Sequence, residues 1–192
     1  MPGLVDRAEK YLKSRFSDEN TTVYLSTDLA HAADGSGRRF ADFKLLKIAP
    51  AGARDFWIYA SVGASARAVN DQYLEFFTLA PLDDHAHIEN MVVLVCYHLT
   101  SNRPLAPMDV CPIGREWVTG SSLDHFLISR INPIRKELDS LHGEDGCVNF
   151  HWAQPIHAQE AAFHQRHGID QLEEAFEKAS TNILALTRDP VV

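Results

Sequence analysis

Residues 147–174 constrain the fold more than any other stretch of the sequence, because each local signal in them agrees with the next. Val148, Phe150 and Trp152 alternate with smaller or polar residues, and this period of two predicts a strand with one large apolar face. Pro155 has no backbone N–H, so we expect the strand to lose its ladder and turn away there.

The second half of this stretch predicts two consecutive helices. A short helix is expected over 158–167, and Gly168 can supply the left-handed conformation that ends it. Asp170 and Glu173 have the spacing of a capping box for a second helix that starts at residue 169. Strand, helix and helix therefore form one locally consistent unit.

Periodicity along the rest of the chain predicts a sheet with helices lying on it. Helices are expected over 4–16, 85–99 and 134–141, and strands over 40–48, 56–62 and 73–79. The pattern leaves 23–33 ambiguous, with a strand favoured only in its first half, and leaves 123–131 open between strand and helix. Short antiparallel connections make the three strands a meander. The predicted fold is α+β, a mostly antiparallel mixed sheet covered by helices.

Length and charge narrow the class of protein. The 192 residues predict one domain over 1–192, in which 1–22 form an N-terminal helix and loop. Acidic residues outnumber basic ones 26 to 18, giving a net charge of -8, which argues against phosphate neutralisation and hence against a nucleic-acid partner. The same balance is compatible with a basic protein partner, and many enzymes are equally acidic.

Several features predict a cytoplasmic protein without membrane contact. The charged N-terminal stretch lacks the apolar core of a signal peptide, and the longest apolar run, 91–96, is too short to cross a bilayer. Cys96, Cys111 and Cys147 are widely spaced and lack a C-x-x-C pair, so we expect buried thiols in a reducing compartment.

Histidines invite a metal hypothesis. His157, Glu160, His164 and His167 fall on one face of the predicted helix 158–167, and zinc accepts His and Glu ligands. Residues seven apart, however, lie roughly 10 Å apart along a helix, too far for two of the histidines to share an ion. The H-E-x-x-H arrangement that solves this geometry is absent from the sequence. We therefore assign no metal ligand and no cofactor.

A serine hydrolase would use either Ser65 or a cluster made of Ser121, Ser122, Asp124 and His125. Ser65 lacks the closing glycine of G-x-S-x-G, and the cluster places all its members in one short segment, where a triad is not expected to converge. We assign no catalytic residue. Elsewhere, His85 and His87 at the start of a predicted helix are expected to be solvated.

Several ordered blocks resemble the suppressor of fused (SUFU) domain family. Residues 57–65 (WIYASVGAS) resemble the family's strand with a Gly-x-Ser turn, and 73–81 (YLEFFTLAP) resemble its next strand, which carries a glutamate. An apolar helix over 88–99 precedes a proline-rich crossing. Residues 148–172 are similar to the signature strand, Pro-Ile step, glutamate and glycine-led helix. The resemblance spans roughly 23–188 and implies a SUFU-like α+β fold.

The resemblance also carries a functional hypothesis. The family is not regarded as enzymatic, and this single-domain form resembles its bacterial branch. That branch is interpreted as immunity proteins that bind and neutralise toxins, or as partners in similar systems. The sequence departs from the family pattern at 104–113 and has no counterpart of the animal proteins' second domain. We expect a non-enzymatic protein-binding module that uses acidic side chains and an exposed strand edge. The alternative is a small metal-dependent or hydrolytic enzyme built on 157–167.

Overall fold

The computed structural model describes residues 3–16, 20–25, 43–136, 138–143 and 146–192. Within these ranges the chain forms four helices and nine strands. The helices are α1 Leu4–Arg15, α2 His85–Thr100, α3 Ala158–His167 and α4 Ile169–Ala179. The strands are β1 Thr21–Leu25, β2 Lys44–Ile48, β3 Trp57–Val62, β4 Ala68–Val69, β5 Gln72–Ala80, β6 Val110–Pro112, β7 His125–Ser129, β8 Leu141–Gly143 and β9 Gly146–Ile156.

The described strands form one mixed sheet. Its order is β1-β2-β3-β5-β9-β7-β6, with β4 attached to β5 and β8 attached to β9. The predicted meander is confirmed, because β2, β3 and β5 pair antiparallel in succession. The contact between β5 and β9 is parallel, from Tyr73↔Val148 to Phe77↔Trp152. A parallel pair needs a long crossover, and α2 lies within the connection that supplies it. The α+β prediction is confirmed.

Each face of the sheet buries an apolar cluster. On β5, Leu74 and Phe76 point into the cluster that contains the apolar side chains of α2. Phe77 and Leu79 point to the opposite face, into the cluster that contains α1. That face also receives the predicted apolar row of β9, formed by Val148, Phe150 and Trp152. A third, smaller cluster places α3 and α4 against the end of β7 and β9. Helices therefore cover the sheet on both sides.

Helix α2 is fixed at both ends by side chains. The Asp84 carboxylate accepts a hydrogen bond from the Ala86 backbone N–H at 2.8 Å and caps the first turn. At the other end, Arg67 Nη1 donates to the carbonyls of His98, Leu99 and Ser101 at 3.2, 3.0 and 2.7 Å. These carbonyls have no partner inside the helix, so the guanidinium satisfies them and opposes the negative end of the helix dipole.

The helix predicted over 134–141 is wrong. The described residues there form a turn, closed by the Leu138 N–H on the Ile134 carbonyl at 2.8 Å, and the chain then enters β8. The Asn132 side chain holds both ends of the turn: its Oδ1 accepts from the Ile134 N–H at 3.1 Å, and its Nδ2 donates to the Leu138 carbonyl at 2.5 Å. Such local side-chain bonds compete with a continuing helix. The open segment 123–131 contains a strand, β7.

The prediction for the end of β9 is also wrong. The strand does not end before Pro155, because Pro155 pairs with Phe126 of β7 and β9 continues to Ile156. Strand β5 pairs with β9 only as far as Trp152. Among the described strands, Pro155 therefore has β7 on one side and no strand on the other, and this position tolerates a residue without an N–H. The predicted helices α3 and α4 are confirmed, with Gly168 between them at φ 86°. The ambiguous half of 23–33 and the start of the strand predicted over 40–48 lie outside the described residues.

Candidate functional site

Glu160, the glutamate of the His/Glu-rich helix α3, is buried in internal hydrogen bonds and does not face a cleft. Glu160 is fully buried, and its two oxygens accept from Arg188 Nη1 and Nη2 at 2.5 and 2.6 Å. It also accepts from the backbone N–H groups of His157 at 2.9 Å and Val191 at 3.1 Å. The contact with the His157 N–H is the glutamate half of a capping box at the start of α3. The sequence predicted a capping box at the start of the next helix instead, between Asp170 and Glu173. Glu160 thus ties the start of α3 to the C-terminal segment.

The three histidines of this helix have separate partners. His157 Nε2 lies 3.0 Å from the Arg188 carbonyl, and His164 Nε2 lies 2.8 Å from the Met108 carbonyl. His167 packs its ring against Phe163, with 4.4 Å between centroids. Across the described part of the chain, no three His, Cys, Asp or Glu side chains are placed to hold a metal ion. The residues of the metal hypothesis therefore do not converge.

The four residues of the serine cluster lie around one cavity, but they do not form a charge-relay geometry. Asp124 Oδ1 and His125 Nδ1 are 2.7 Å apart, and both residues line an open cavity of about 390 Å³ with Ser121 and Ser122. Ser121, however, donates its hydroxyl proton to the Leu186 carbonyl at 2.5 Å. In the described residues no hydrogen bond joins either serine to His125. A nucleophile needs such a contact with its base.

Ser65 belongs to a nest of donors around a second buried carboxylate. Glu75, on β5, is fully buried and accepts from the Gly63 N–H at 2.8 Å, from the Ser65 N–H at 3.1 Å and from the Ser65 hydroxyl at 2.6 Å. Its other oxygen accepts from the Ser61 hydroxyl at 2.5 Å and the Ala64 N–H at 3.3 Å. Gly63 has φ 124°, which lets the turn after β3 curl its N–H groups toward the carboxylate. Ser65 is therefore a structural residue.

One of the two histidines expected to be solvated is fully buried. His87 accepts a hydrogen bond at Nδ1 from the Trp117 indole N–H at 2.9 Å, and its ring lies 5.0 Å from that of Tyr59. Burial lowers the pKa of His87 to about 4, against the opposing influence of the Asp84 carboxylate. His85 does remain exposed. The fixed, neutral imidazole of His87 joins α2 to the segment that carries Trp117.

The cysteines differ in their surroundings. Cys111 is buried, and burial raises the pKa of its thiol to about 11, which makes it a poor nucleophile at neutral pH. Cys96 and Cys147 are only half-buried, contrary to the expectation of buried thiols.

Strand β1 lies at one end of the sheet and presents an exposed apolar edge. Val23 and Leu25 are 38% and 46% exposed. The Ala49 N–H donates to the Asn20 carbonyl at 2.8 Å, and alternation along the antiparallel pair turns the N–H and C=O of Val23 away from β2. Within the described ranges, β2 alone pairs with β1. This edge has the backbone geometry that accepts an added strand.

Known proteins share the sequence pattern and the fold of this chain. The family model for suppressor of fused protein (SUFU) matches residues 41–189. The chain belongs to the SUFU family. A SUFU homologue from Neisseria gonorrhoeae, solved as a crystal structure, shares 25% identity and a TM-score of 0.78, with 97% of this chain and 95% of that chain covered.

Two further SUFU structures share the fold at lower identity. Drosophila Suppressor of Fused matches with 12% identity and a TM-score of 0.65 over 98% of this chain, which spans 50% of the Drosophila chain. A Sufu–Fu complex matches with 13% identity and a TM-score of 0.65, with 97% of this chain and 91% of that chain covered. No curated protein matches the sequence. None of the helices in the described part of this SUFU chain has the length and apolar character needed to cross a membrane.

Replacing Glu160 with glutamine should lower the free energy of unfolding by about 3–5 kcal/mol, because Arg188 is then left buried beside a neutral group. The double replacement Glu160→Gln with Arg188→Met should recover part of this loss. Urea denaturation at pH 7 measures both. Glu174→Gln is the matched control, since Glu174 forms an exposed ion pair with Lys178 on the adjacent helix. An equal loss in the control would contradict the assignment.

Stability should fall on acidification from pH 6.5 towards pH 4, partly because of His87. The pKa of His87 in the folded state is about 4, below the ordinary value of 6.5 that applies to the unfolded chain. Between these pH values the unfolded chain binds a proton that the folded chain does not, and this stabilises the unfolded state. The contribution is full above pH 6.5 and amounts to about 3 kcal/mol at most. His87→Asn keeps an acceptor for Trp117 and should flatten the urea-derived stability profile, whereas His85→Asn should leave it unchanged.

Proposed function

We propose that this SUFU protein is a non-enzymatic protein-binding module, and that it serves in the bacterial cytoplasm as an immunity protein that neutralises a toxin. Membership of the SUFU family is the observation that carries the proposal. The structural match to Sufu in its complex with Fu supports a role in binding protein. The use of Glu75, Glu160 and His87 in internal hydrogen bonds supports the same view, because it commits these groups to the fold.

The charge of the chain supports a basic partner. A net charge of -8 produces a field that attracts positively charged proteins over distances of about one Debye length, roughly 8–10 Å at physiological salt. Such a field chiefly raises the association rate, while the contacts made after docking set the dissociation rate. A small basic toxin is a partner of this kind.

Strand addition at β1 supplies a docking mode. An extended segment of the partner would pair with the outward N–H and C=O groups of Val23, and the exposed side chains of Val23 and Leu25 would cover part of it. Backbone pairing of this kind gives affinity with little sequence preference, so charge and the flanking side chains would select the partner.

Co-expression with the proteins encoded beside its gene tests the immunity role. A toxic neighbour should stop growth alone and permit growth when this protein is present. Binding of the purified pair should then be measured at low and high salt. The association rate constant should fall by about tenfold or more on adding salt, with little change in dissociation. Binding without protection would refute the immunity role, and protection with salt-independent association would refute charge steering.

Val23→Pro tests the edge strand directly. Proline removes the outward N–H of Val23 and leaves the β1–β2 hydrogen bonds in place, because those bonds come from the alternate residues. Partner affinity should fall by about tenfold, the loss expected for one or two backbone hydrogen bonds. Val23→Thr keeps the N–H and should bind normally. Equal affinity of the two variants, with both folded by circular dichroism, would place the partner elsewhere.

A further inference from the structure

The cavity of about 390 Å³ that contains the serine cluster lies where β6 ends and β7 begins. Its walls come from 112–116 and from 121–125. Backbone hydrogen bonds hold both walls: the Ile113 N–H donates to the Asp124 carbonyl at 2.8 Å, and the Asp124 N–H donates to the Ile156 carbonyl at 3.1 Å. We name it the Asp124 cavity. It is shaped by the sheet before any ligand arrives.

Trp117 fixes the loop that joins the two walls. Its side chain is fully buried, and its backbone N–H donates to the Leu123 carbonyl at 2.7 Å. Its carbonyl accepts from Asn90 Nδ2 on α2, also at 2.7 Å. Walls held in this way reduce the entropy cost of docking, because few groups need to be ordered when a ligand binds.

The positive charge in the cavity wall is already used inside the chain. Arg115 Nε and Nη2 donate to Asn90 Oδ1 at 3.2 and 3.0 Å, and Arg115 Nη1 lies 2.7 Å from Glu89 Oε2. All three guanidinium nitrogens therefore have partners on α2. The planar fork that would capture a carboxylate or phosphate is occupied, so an anion is a poor match for this cavity.

The acidic side chains of the wall keep acceptors free. Asp124 Oδ1 and His125 Nδ1 are 2.7 Å apart, and a carboxylate only accepts, so Nδ1 carries the proton and the neutral ring offers Nε2 as an acceptor. Glu116 Oε2 accepts from the Gly120 N–H at 2.9 Å. Counting only partners within the described ranges, Asp124 Oδ2, Glu116 Oε1 and His125 Nε2 have no hydrogen bond.

The balance of acceptors and charge specifies the ligand. Three carboxylates surround one guanidinium here, those of Glu89, Glu116 and Asp124, so the local charge is negative. A matching group supplies donors and positive charge and needs no donor in return. A guanidinium has five N–H donors and no acceptor. A metal ion is a weaker match, because no three suitable ligands converge in the part of the chain that the structure describes.

We propose that the Asp124 cavity binds an arginine side chain of the protein partner. This deepens the proposed function, and rests on it for the existence of a partner. The volume of about 390 Å³ is within the range of ligand pockets and admits a planar guanidinium with its stem. The net charge of -8 would attract a basic partner from a distance, and this cavity would bind one of its cations at a defined position.

A small arginine derivative tests the cavity without the partner. The probe is N-acetyl-L-arginine methylamide, and the ring resonances of His125 in NMR spectra are the readout. They should shift saturably at low salt, while those of His142, exposed on β8, stay constant. The citrulline derivative has the same shape without the charge and should cause no shift. No saturable shift, or equal affinity for the citrulline or lysine derivative, would overturn the proposal.

Two conservative variants test the carboxylates. Asp124→Asn keeps an acceptor for His125, and Glu116→Gln keeps one for the Gly120 N–H. Each should weaken binding of the arginine probe by about tenfold, the effect of losing one charge-assisted hydrogen bond. Glu174→Gln, at an exposed acid on α4, is the matched control and should bind normally. Unchanged probe affinity in both cavity variants would contradict the proposal.

Ser122→Arg tests the cavity without removing a carboxylate. Ser122 is exposed at the rim, so the variant should keep the melting temperature of the wild type. Its own guanidinium should occupy the acceptors and abolish binding of the arginine probe, whereas Ser122→Gln should have little effect. Probe binding by Ser122→Arg as tight as by the wild type would overturn the proposal.

The partner assay distinguishes this inference from the function on which it rests. If a partner binds the wild type and Ser122→Arg with equal affinity, the cavity inference fails while the proposed function stands. If the cavity binds the arginine probe but no neighbouring protein is bound or neutralised, the proposed function fails while the arginine site stands. Loss of partner affinity in Asp124→Asn and Glu116→Gln, with none in Glu174→Gln, supports both.

Discussion

The parallel contact between β5 and β9 is the constraint on which the rest of the structure depends. It joins the meander β1-β2-β3-β5 to the second half of the sheet, β9-β7-β6. The two strands are separated in sequence by the whole of 81–145, so their pairing carries a large loop-closure cost that only burial of both faces can offset. The register from Tyr73↔Val148 to Phe77↔Trp152 brings the alternating apolar rows of the two strands into phase. Helices can then cover each face continuously.

Two buried carboxylates, Glu75 on β5 and Glu160 on α3, explain why so many polar residues serve the fold. A carboxylate removed from water is strongly destabilising unless its oxygens are hydrogen-bonded. Glu75 satisfies this need with backbone N–H groups and serine hydroxyls, which shapes the turn after β3. Glu160 satisfies it with Arg188, which holds the C-terminal segment against α3. Residues that resembled catalytic candidates thus take part in the hydrogen bonds that stabilise the buried carboxylates.

The docking edge proposed at β1 lies at one end of the sheet, where it would recognise an extended backbone segment. Under the same proposal, a net charge of -8 would attract basic partners from a distance before docking.

The sequence by itself determined the local elements and the fold class, because period-two and helical apolar patterns, glycine stops and caps act between residues close in the chain. Strands β3, β5 and β9 and helices α1, α2 and α3 follow from such signals, and the quoted blocks sufficed for the SUFU resemblance. Only the tertiary structure decided how far Pro155 stays in a strand, that Asn132 stops a helix, and that His87 is buried. It alone brought Glu75 to the Gly63 turn and Arg188 to Glu160, since those partners are distant in sequence and meet only after β5 and β9 have paired.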